Sequence, residues 1–523
     1  MTTSAPSSSA VPGFRRNMVT VCAMTATIMQ ALDTTIANVA LPYMQGSLSA
    51  SQDQVNWVLT SYIVAAAIMT APVGFIANRF GRKKVFIICS AGFTIASVLC
   101  GLAQDITQMV GFRLLQGVFG AALVPLSQAV MLDSYALHER AKAMSIWGMG
   151  VMLGPIMGPS LGAWLTETYS WHWVFFVNLP FGIVTVAGLM VFMDETELSM
   201  KMKFDWFGFL ALAIGIGSMQ LALDRGEQLG WLESNEIIIE SIVAVIGFYY
   251  FFAHSFTTPR PFIQFAIFKD KNFVGGCIFM CVMGLVLYST MSLSSPFLQN
   301  VIGYPILTAG LLLATRGSGT FVAMMLVGRM MKYIEARTLI MSGMTLLTVS
   351  MYFTAKWTDQ TGVPEFIIVS VAQGFGLGLV FVPLSTVAFL TLPNHLRTDG
   401  TAMLTLLRNV ASSVGISIVI ANLTSGTRMA HAVLVEHVTP FNNALQMPNV
   451  TGVINMATDS GRAMMDAIVT LQASIIAFGL DYQLIMFVTL LAIPMALIIG
   501  SSKAQLRAQA AKPGGDEHPA VME

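Results

Sequence analysis

The first long apolar run of the chain, Thr20 to Leu41, contains a single carboxylate near its middle, Asp33. A run of this length can cross a lipid bilayer as a helix, because a crossing takes about 20 apolar residues. An ionised carboxylate near the bilayer centre costs on the order of 3 kcal/mol, so its side chain should face protein or water. The run therefore predicts a membrane-spanning helix with a buried acid group that has a function.

The composition predicts many such helices in the same chain. Of the 523 residues, 55% are hydrophobic and 10% are charged. Soluble domains carry about 25% charged residues. The formal net charge is zero, so there is no excess of basic residues to bind nucleic acid. We predict an all-α integral membrane protein with about fourteen spans in the lipid bilayer.

The positions of Lys and Arg predict which side of the membrane each loop faces. Twenty of the 27 fall in alternate loops or terminal segments, and four fall in the loops between them. The remaining three, Arg113, Arg316 and Arg408, lie within predicted spans. Cytoplasmic loops carry an excess of Lys and Arg. The pattern predicts two cytoplasmic termini and an even number of spans.

Short motifs recur at a spacing of roughly half the chain. Gln116-Gly117, followed by Val124-Pro125, resembles Gln373-Gly374, followed by Val382-Pro383. Internal repeats with a binding site between them are typical of transporters. We predict two six-helix halves joined by two additional central spans. In chain order, the predicted segments are a disordered cytoplasmic N-terminus at 1–17, an N-terminal half at 18–193, two linking spans at 194–256, a C-terminal half at 257–501 with a long external loop at about 424–481, and a cytoplasmic tail at 502–523.

Asp33 and Arg113 are the candidates for proton coupling. Burial favours the neutral form of a carboxyl group, so Asp33 can bind and release a proton near neutral pH. A buried Arg needs a partner, and Asp33 lies at a similar predicted depth to Arg113. Two alternatives stay open. Asp33 could have a purely structural role, in which it caps or hydrogen-bonds a neighbouring helix. Arg113 could extend its side chain to the membrane interface.

Residues 74–84 form a short basic turn between the second and third predicted spans. Gly74 and Gly81 permit close helix approach and a tight turn. Arg79 and Arg82 can bond helix C-terminal carbonyls or acidic groups of a neighbouring span. Such bonds would form a latch that favours one conformation. The alternative is a basic loop that only orients the chain in the membrane.

Glycines recur every four residues in the fifth predicted span, which places them on one face of a helix. They permit close backbone packing, while prolines remove helix hydrogen bonds and permit bending. We predict a tightly packed, hinge-like helix, and tight packing without motion is the alternative. The motif comprises Gly150, Gly154, Pro155, Gly158, Pro159 and Gly162.

Four polar residues are candidates for a substrate cavity: Asn38, Gln116, Arg316 and Arg408. Three embedded arginines against one deep carboxylate favour neutral or weakly acidic lipophilic substrates over dications. The sequence contains no Walker-type phosphate loop and no His, Cys and Asp cluster that indicates metal binding or catalysis. We expect no cofactor and no enzymatic activity, with a proton gradient as the energy source.

Together these motifs resemble those of the major facilitator superfamily, and within it the fourteen-span drug:proton antiporters of the EmrB/QacA type. The resemblance covers nearly the whole chain. Residues 32–42 and 113–122 are similar to helix motifs whose Asp and Arg the family links to proton coupling and proton transfer. Residues 74–84 resemble the family's conformational latch, and residues 150–162 resemble the antiporter motif of exporters.

Two positions depart from the family pattern. Asn78 stands where the loop motif usually has Asp, so the latch should depend less on charge. Pro159 stands where a Gly is common in the antiporter motif. The long segment before the last span is similar to EmrB proteins, which work in Gram-negative cells with a periplasmic adaptor and an outer-membrane channel. The resemblance therefore implies such partners and an inner-membrane location.

The sequence favours a proton-coupled exporter of hydrophobic or amphipathic small molecules that works by alternating access. Proton entry from outside would neutralise Asp33 and lower substrate affinity, and proton release inside would reset the carrier. A proton-coupled importer on the same fold is one alternative, and the glycine–proline pattern of the fifth span argues against it. A membrane sensor without transport activity is the other.

Overall fold

The structure is a computed structural model that describes residues 13–136, 139–195, 204–258, 261, 263–393, 396–439, 442 and 458–498. Its regular elements within these residues are all helices, which confirms the all-α membrane fold. The α-helices are α1 (Gly13–Ser47), α2 (Gln52–Thr70), α3 (Val73–Phe80), α4 (Arg82–Gly101), α5 (Ile106–Gly120), α6 (Leu123–Ser134), α7 (Arg140–Thr168), α8 (Trp173–Phe176), α9 (Asn178–Phe192), α10 (Trp206–Leu229), α11 (Asn235–Thr257), α12 (Lys271–Pro296), α13 (Ile306–Met330), α14 (Ala336–Thr354), α15 (Val363–Val387), α16 (Arg397–Val435) and α17 (Asp459–Met495).

In the described part of the chain, 11 helices are long and apolar enough to cross a membrane. A twelfth candidate is the pair α2 and α3, which is bent by 57° at the break before Val73. The helices α7 and α14 coincide with two further predicted spans, but they are not among those apolar enough to count. The number of fourteen spans therefore stays a prediction.

The helices run between two ends of the molecule. We name one end the basic end, because it carries the turn between α3 and α4 and the first turn of α16. We name the opposite end the hairpin end, because α16 finishes there and α17 begins there. Asp33 lies in the part of α1 nearer the hairpin end, since α1 begins at the basic end.

Two helix bundles carry the internal repeat predicted from the sequence. In the N-terminal bundle, a Cβ on Gly117 of α5 would lie 2.5 Å from the Tyr62 carbonyl oxygen of α2. In the C-terminal bundle, a Cβ on Gly374 of α15 would overlap the Arg316 carbonyl of α13. Each glycine therefore permits the same close crossing between equivalent helices. The exact boundaries of the two halves stay predictions.

The helix α10 lies between the two bundles and is bonded to both. Thr60 of α2 donates a hydrogen bond to Asp224 of α10. From the other bundle, Ser417 of α16 donates to the Leu223 carbonyl at 2.6 Å. In addition, Gln220 Nε2 of α10 donates to Ser413 Oγ of α16 at 2.7 Å. This additional helix therefore bridges the seam between α2 and α16.

The first helix begins earlier than the sequence predicted. Residues 13–17, assigned to a disordered N-terminus, already belong to α1. Arg15 Nε donates to the Phe192 carbonyl at 2.8 Å, and Arg16 Nη1 lies 2.9 Å from Glu139 Oε2. These contacts hold the first turn against the ends of α9 and α7. Residues 1–12 and the predicted tail at 502–523 lie outside the described residues.

The predicted external loop at 424–481 is helical over much of its length, because α16 continues to Val435 and α17 begins at Asp459. With 39 and 37 residues, each helix is about 55 Å long, whereas the hydrocarbon core is about 30 Å thick. His431 Nε2 of α16 lies 2.9 Å from Asp466 Oδ1 of α17. The hydropathy pattern predicted shorter helices, because charged residues interrupt the apolar runs. The helices themselves continue through those charged residues. Residues 440, 441 and 443–457 lie outside the described residues.

Candidate proton and substrate sites

Asp33 is fully buried and accepts hydrogen bonds from three side chains. Arg113 Nη1 lies 2.7 Å from Asp33 Oδ2. Gln116 Nε2 and Asn178 Nδ2 donate to Asp33 Oδ1 at 2.8 and 3.1 Å. The three partners are also fully buried. Removing one member of a buried ion pair typically costs about 3–5 kcal/mol, so these four residues, the Asp33 cluster, form one interdependent unit.

Arg113 is held by more than the carboxylate. Its Nε donates to the Val58 carbonyl of α2 at 3.0 Å, and its Nη1 donates to Gln116 Oε1 at 2.8 Å. Its guanidinium carbon lies 4.4 Å from the centroid of the Tyr62 ring. Arg113 therefore points into the bundle rather than toward the membrane interface, and it has contacts besides the one with Asp33.

The sequence placed Gln116 in the substrate cavity and gave Asn178 no role. In the structure both bind Asp33, so Gln116 belongs to the Asp33 cluster, and its place in the substrate cavity stays a prediction. Asn178 Nδ2 also donates to Ser97 Oγ of α4 at 3.0 Å. The sequence signal that could have identified Asn178 was its amide side chain inside the apolar run that forms α9.

The glycine face of α7 packs against the turn of α1 that carries Asp33. A Cβ on Gly154 would overlap the Ala31 carbonyl group, and a Cβ on Gly158 would overlap the Thr35 side chain. Thr35 Oγ1 donates to the Gly154 carbonyl at 3.1 Å. The other two glycines also face α1, with Gly150 by Met24 and Gly162 by Ile36. The side chain of Pro155 lies outside the described residues.

The opposite face of α7 packs against α13 of the C-terminal bundle. A Cβ on Gly310 would lie 3.3 Å from Ser160 Oγ, and a Cβ on Gly317 would overlap Ile156. Nearer the basic end, a Cβ on Gly328 would lie 3.0 Å from Ser145 Oγ. The helix α7 therefore connects the helix that carries Asp33 to the other half.

At the basic end, Asp133 of α6 joins the two halves. It forms one ion pair with Arg82, at the start of α4 in the same half. Its Oδ1 also lies 2.7 Å from Arg397 Nη1, at the start of α16 in the other half. The sequence left helix carbonyls and acidic groups open as partners of Arg82, and it identified neither Asp133 nor Arg397.

The remaining residues of the predicted latch lie around this ion pair. A Cβ on Gly74 would overlap Asp399 of α16, so this glycine permits contact between the halves. Gly81 has a φ of +93°, which favours glycine. The guanidinium carbon of Arg79 lies 5.6 Å from the Phe80 ring centroid, and Asn78 is half-buried.

Two adjacent small cavities lie between the halves, and each contains one of the embedded arginines. Arg408 lines the first, and Arg316 lines the second. Met152 of α7 and Leu377 of α15 line both. Each cavity has a volume of about 20 Å³. Asn38 is exposed on α1 and lines neither of these two cavities, so its place in the substrate cavity stays a prediction.

Arg316 is a buried cation whose bonds go to hydroxyl groups. Its Nη1 donates to Thr290 Oγ1 at 3.0 Å, and its Nη2 donates to Ser294 Oγ at 3.2 Å. Within the described residues, its Nε has no hydrogen-bond partner and no carboxylate forms an ion pair with it. A buried charge normally requires a counter-charge, so this site can accept an anionic group. The described residues contain no group of three or more His, Cys, Asp or Glu that could hold a metal ion.

The sequence profile of the Major Facilitator Superfamily matches residues 23–416. The chain belongs to the major facilitator superfamily. It is 34% identical to the multidrug export protein EmrB of Escherichia coli K12, over 81% of this chain and 83% of that protein. It is 33% identical to the fatty acid resistance protein FarB of Neisseria gonorrhoeae, over 80% of this chain and 83% of that protein. These relatives confirm the EmrB-type resemblance.

A solved structure shows the same fold at much lower sequence identity. The proton:xylose symporter XylE superposes with a TM-score of 0.57 and 14% identity, covering 91% of this chain and 95% of XylE. The predicted major facilitator fold is therefore confirmed. The chain is a multi-pass membrane protein of a transporter superfamily.

Proposed function

We propose that this major facilitator protein is a proton-coupled exporter of hydrophobic and amphipathic small molecules. Its relatives carry the names multidrug export protein and fatty acid resistance protein. The observation that carries the proposal is the Asp33 cluster, in which a buried carboxylate binds Arg113 beside the glycine face of α7. That position lets a change in the charge of Asp33 act on the helix that contacts the other half.

Protonation of Asp33 removes the negative charge that Arg113 neutralises. The carboxyl group then no longer attracts the guanidinium as strongly, and α1 can shift against α5 and α9. Because α7 packs closely on α1 and also on α13, such a shift changes the seam between the halves. The proton thus favours one access state over the other, as alternating access requires. No resident cofactor is needed for this step.

The geometry fits a state that is closed at the basic end and occluded at its centre. The Asp133–Arg397 ion pair joins the halves at the basic end. The central cavities, at about 20 Å³ each, are far smaller than the roughly 300 Å³ or more of a drug-sized site. We therefore assign Arg82, Asp133 and Arg397 to the latch that opens when the substrate enters from the cytoplasm.

The direction of transport can be measured in everted membrane vesicles. We expect lipophilic compounds to accumulate inside the vesicles when a proton gradient is imposed, and a protonophore to abolish the accumulation. Proteoliposomes that contain only the purified protein, driven by an artificial pH gradient, are the matched control. They exclude a contribution from other transporters in the vesicles. Accumulation only in right-side-out vesicles would instead support an importer.

Arg316 should select anionic substrates. We expect Arg316→Gln to weaken binding of anilinonaphthalene sulfonate about tenfold or more, because a charge-assisted hydrogen bond contributes about 1.5–3 kcal/mol. Binding of the lipophilic cation tetraphenylphosphonium should be unchanged or stronger. Arg462→Gln is the matched control, since Arg462 is an exposed arginine on α17. Equal losses for the anion and the cation would contradict the assignment.

The hairpin of α16 and α17 is the surface that we assign to a periplasmic adaptor, which in turn would contact an outer-membrane channel. Val433 and Ile468 expose 54% and 39% of their surface there, and Met429 and Met464 are also exposed. We propose an inner-membrane location from the similarity to EmrB, with the basic end and both termini in the cytoplasm, as the distribution of Lys and Arg predicts.

Charged substitutions on the hairpin of α16 and α17 should prevent contact with the adaptor without changing transport by the protein itself. We expect Val433→Asp combined with Ile468→Asp to abolish drug resistance of whole cells by preventing adaptor contact. Accumulation in everted vesicles should stay within about twofold of the unmodified protein, because surface changes away from packed sites have small effects. Leu232→Asp, at an exposed position between α10 and α11, is the control. Equal loss in cells and vesicles would contradict a docking role.

A further inference from the structure

A second carboxylate is buried in the C-terminal half, outside the Asp33 cluster. Asp481 of α17 is 1% exposed, and neither of its carboxylate oxygens has a hydrogen-bond partner within the described residues. The side chain of Asn422, on α16, is a polar neighbour of Asp481 but forms no hydrogen bond with its carboxylate oxygens. Ionised carboxylates are rarely buried without a partner, so this position requires an explanation.

A groove at the hairpin end is lined in part by residues of α17 that precede Asp481. It has a volume of about 380 Å³ and lies between the end of α12, α16 and α17. Ser474 and Phe478 of α17 and Leu423 of α16 line it. Ser474, Phe478 and Asp481 follow one another at spacings of four and three residues, so they share one face of α17. Asp481 itself does not line the groove, and it lies about one helical turn along α17 from Phe478, which does.

A hydrogen-bonded chain connects the residue next to Asp481 with the arginine of the central cavity. Tyr482 Oη lies 3.0 Å from Ser294 Oγ, and Ser294 Oγ accepts a hydrogen bond from Arg316 Nη2 at 3.2 Å. Ser294 uses its own proton for the Thr290 carbonyl, at 2.6 Å, so Tyr482 is the donor to Ser294. Tyr482 directly follows Asp481 in α17, so this hydrogen-bonded chain to Arg316 begins one residue from the carboxylate.

Within the described residues, no charged group near Asp481 forms an ion pair with it. The residue of α12 that contacts this part of α17 is Ser294, which is neutral. The titratable groups on the surrounding elements are Tyr482 on α17, Arg428 on α16, Lys356 beyond the end of α14 and Arg316 on α13. Within the described residues, none of them forms an ion pair with Asp481.

We propose that Asp481 is a second proton-binding site, reached from the hairpin end, and that its charge sets how strongly Arg316 binds an anionic substrate. A proton from the external solution adds to a carboxylate oxygen of Asp481 and returns to that solution when it leaves. Ionised Asp481 offsets part of the positive potential at Arg316, whereas neutral Asp481 leaves that potential available to an anion. By linkage, a bound anion must then favour protonation of Asp481 by the same factor.

This inference rests on the assignment of Arg316 as an anion site, so its test begins with a measurement that does not depend on transport. Infrared difference spectra of the purified protein, recorded between mildly acidic and mildly alkaline pH, report the carbonyl band of a protonated carboxylic acid. We expect one such band to vanish in Asp481→Asn and to persist, shifted, in Asp481→Glu. Asp466→Asn removes an exposed carboxylate of the same helix and should leave the band unchanged. A spectrum unaffected by Asp481→Asn would overturn the proposal even if export is normal.

The second measurement tests the connection to Arg316. Anilinonaphthalene sulfonate remains anionic over this pH range, so any pH dependence of its affinity belongs to the protein. We expect its affinity to rise about 5-fold or more from alkaline to acidic pH, the lower end of typical coupling between sites. Asp481→Asn should give the tight affinity at every pH, and Tyr482→Phe should reduce the pH dependence. Unchanged pH dependence in Asp481→Asn would overturn the connection, whereas loss of all anion binding with an intact infrared band would count only against the anion site at Arg316.

Discussion

Replacing Asp33 by Asn should reduce gradient-driven efflux to background, a loss of about 100-fold or more for a residue that carries the coupled proton. The amide can neither take up nor release a proton at physiological pH. It also leaves Arg113 without its carboxylate partner, which Arg113 now contacts at 2.7 Å. Uptake of labelled substrate into everted vesicles, driven by a pH gradient, measures the effect. Efflux that still follows the pH gradient in Asp33→Asn would refute the proposed coupling.

A double substitution separates coupling from stability. Asp33→Asn alone should lower the free energy of unfolding by about 3–5 kcal/mol, because it leaves a buried cation unpaired. Combining it with Arg113→Gln removes both charges, and we expect much of that free energy to return. Coupled efflux should stay absent in the double variant, although substrate still binds. Thermal unfolding of the purified variants, compared with vesicle transport, distinguishes the two contributions.

The second large effect should come from Gly154→Ala, although it adds only one methyl group. The new Cβ would overlap the Ala31 carbonyl group, and a backbone cannot move aside as a flexible side chain can. Overpacking typically costs about 1–3 kcal/mol, here at the helix contact beside Asp33. We expect efflux to fall about tenfold or more, with a lowered unfolding temperature.

A glycine elsewhere in the same half provides the control. A Cβ on Gly111 of α5 would have no heavy atom within 4 Å, so Gly111→Ala should leave efflux and stability unchanged. Gly150→Ala should be intermediate, because the group it would meet is the flexible end of Met24, at 3.1 Å. Equal effects of Gly111→Ala and Gly154→Ala would mean that glycine content, rather than the α1–α7 contact, determines the result.

The pairing of Asp33 with Arg113 could be predicted from sequence because intramembrane charges are few and each requires a partner. Asn178 could not be assigned in the same way, since a neutral amide in an apolar helix has many permitted partners. The close packing of Gly154 on α1 followed from four-residue spacing as a general expectation, but the spacing did not identify α1 as the neighbour.

The partner of Arg82 and the length of the last helices were harder to predict. Asp133 is 51 residues from Arg82 and 264 from Arg397, and acidic residues at helix ends are common, so no local pattern connects Asp133 with either arginine. Hydropathy ended the helix of α16 near residue 423, because that signal reports residence in lipid rather than helix formation. The helix continues past that residue and packs against α17, where Gly426 lies by Ala477 and His431 by Asp466.

The bonds of α10 make the molecule unequal on its two flanks. On one flank α7 and α13 pack directly, with Gly310 against Ser160 and Gly317 against Ile156. On the other flank, α10 forms hydrogen bonds with Thr60 of one half and Ser413 of the other. A relative rotation of the halves must therefore break one of these bonds or move α10 together with both of its neighbours. The α2–α16 seam is therefore linked by hydrogen bonds through α10, and relative motion of the halves has different requirements at the two flanks.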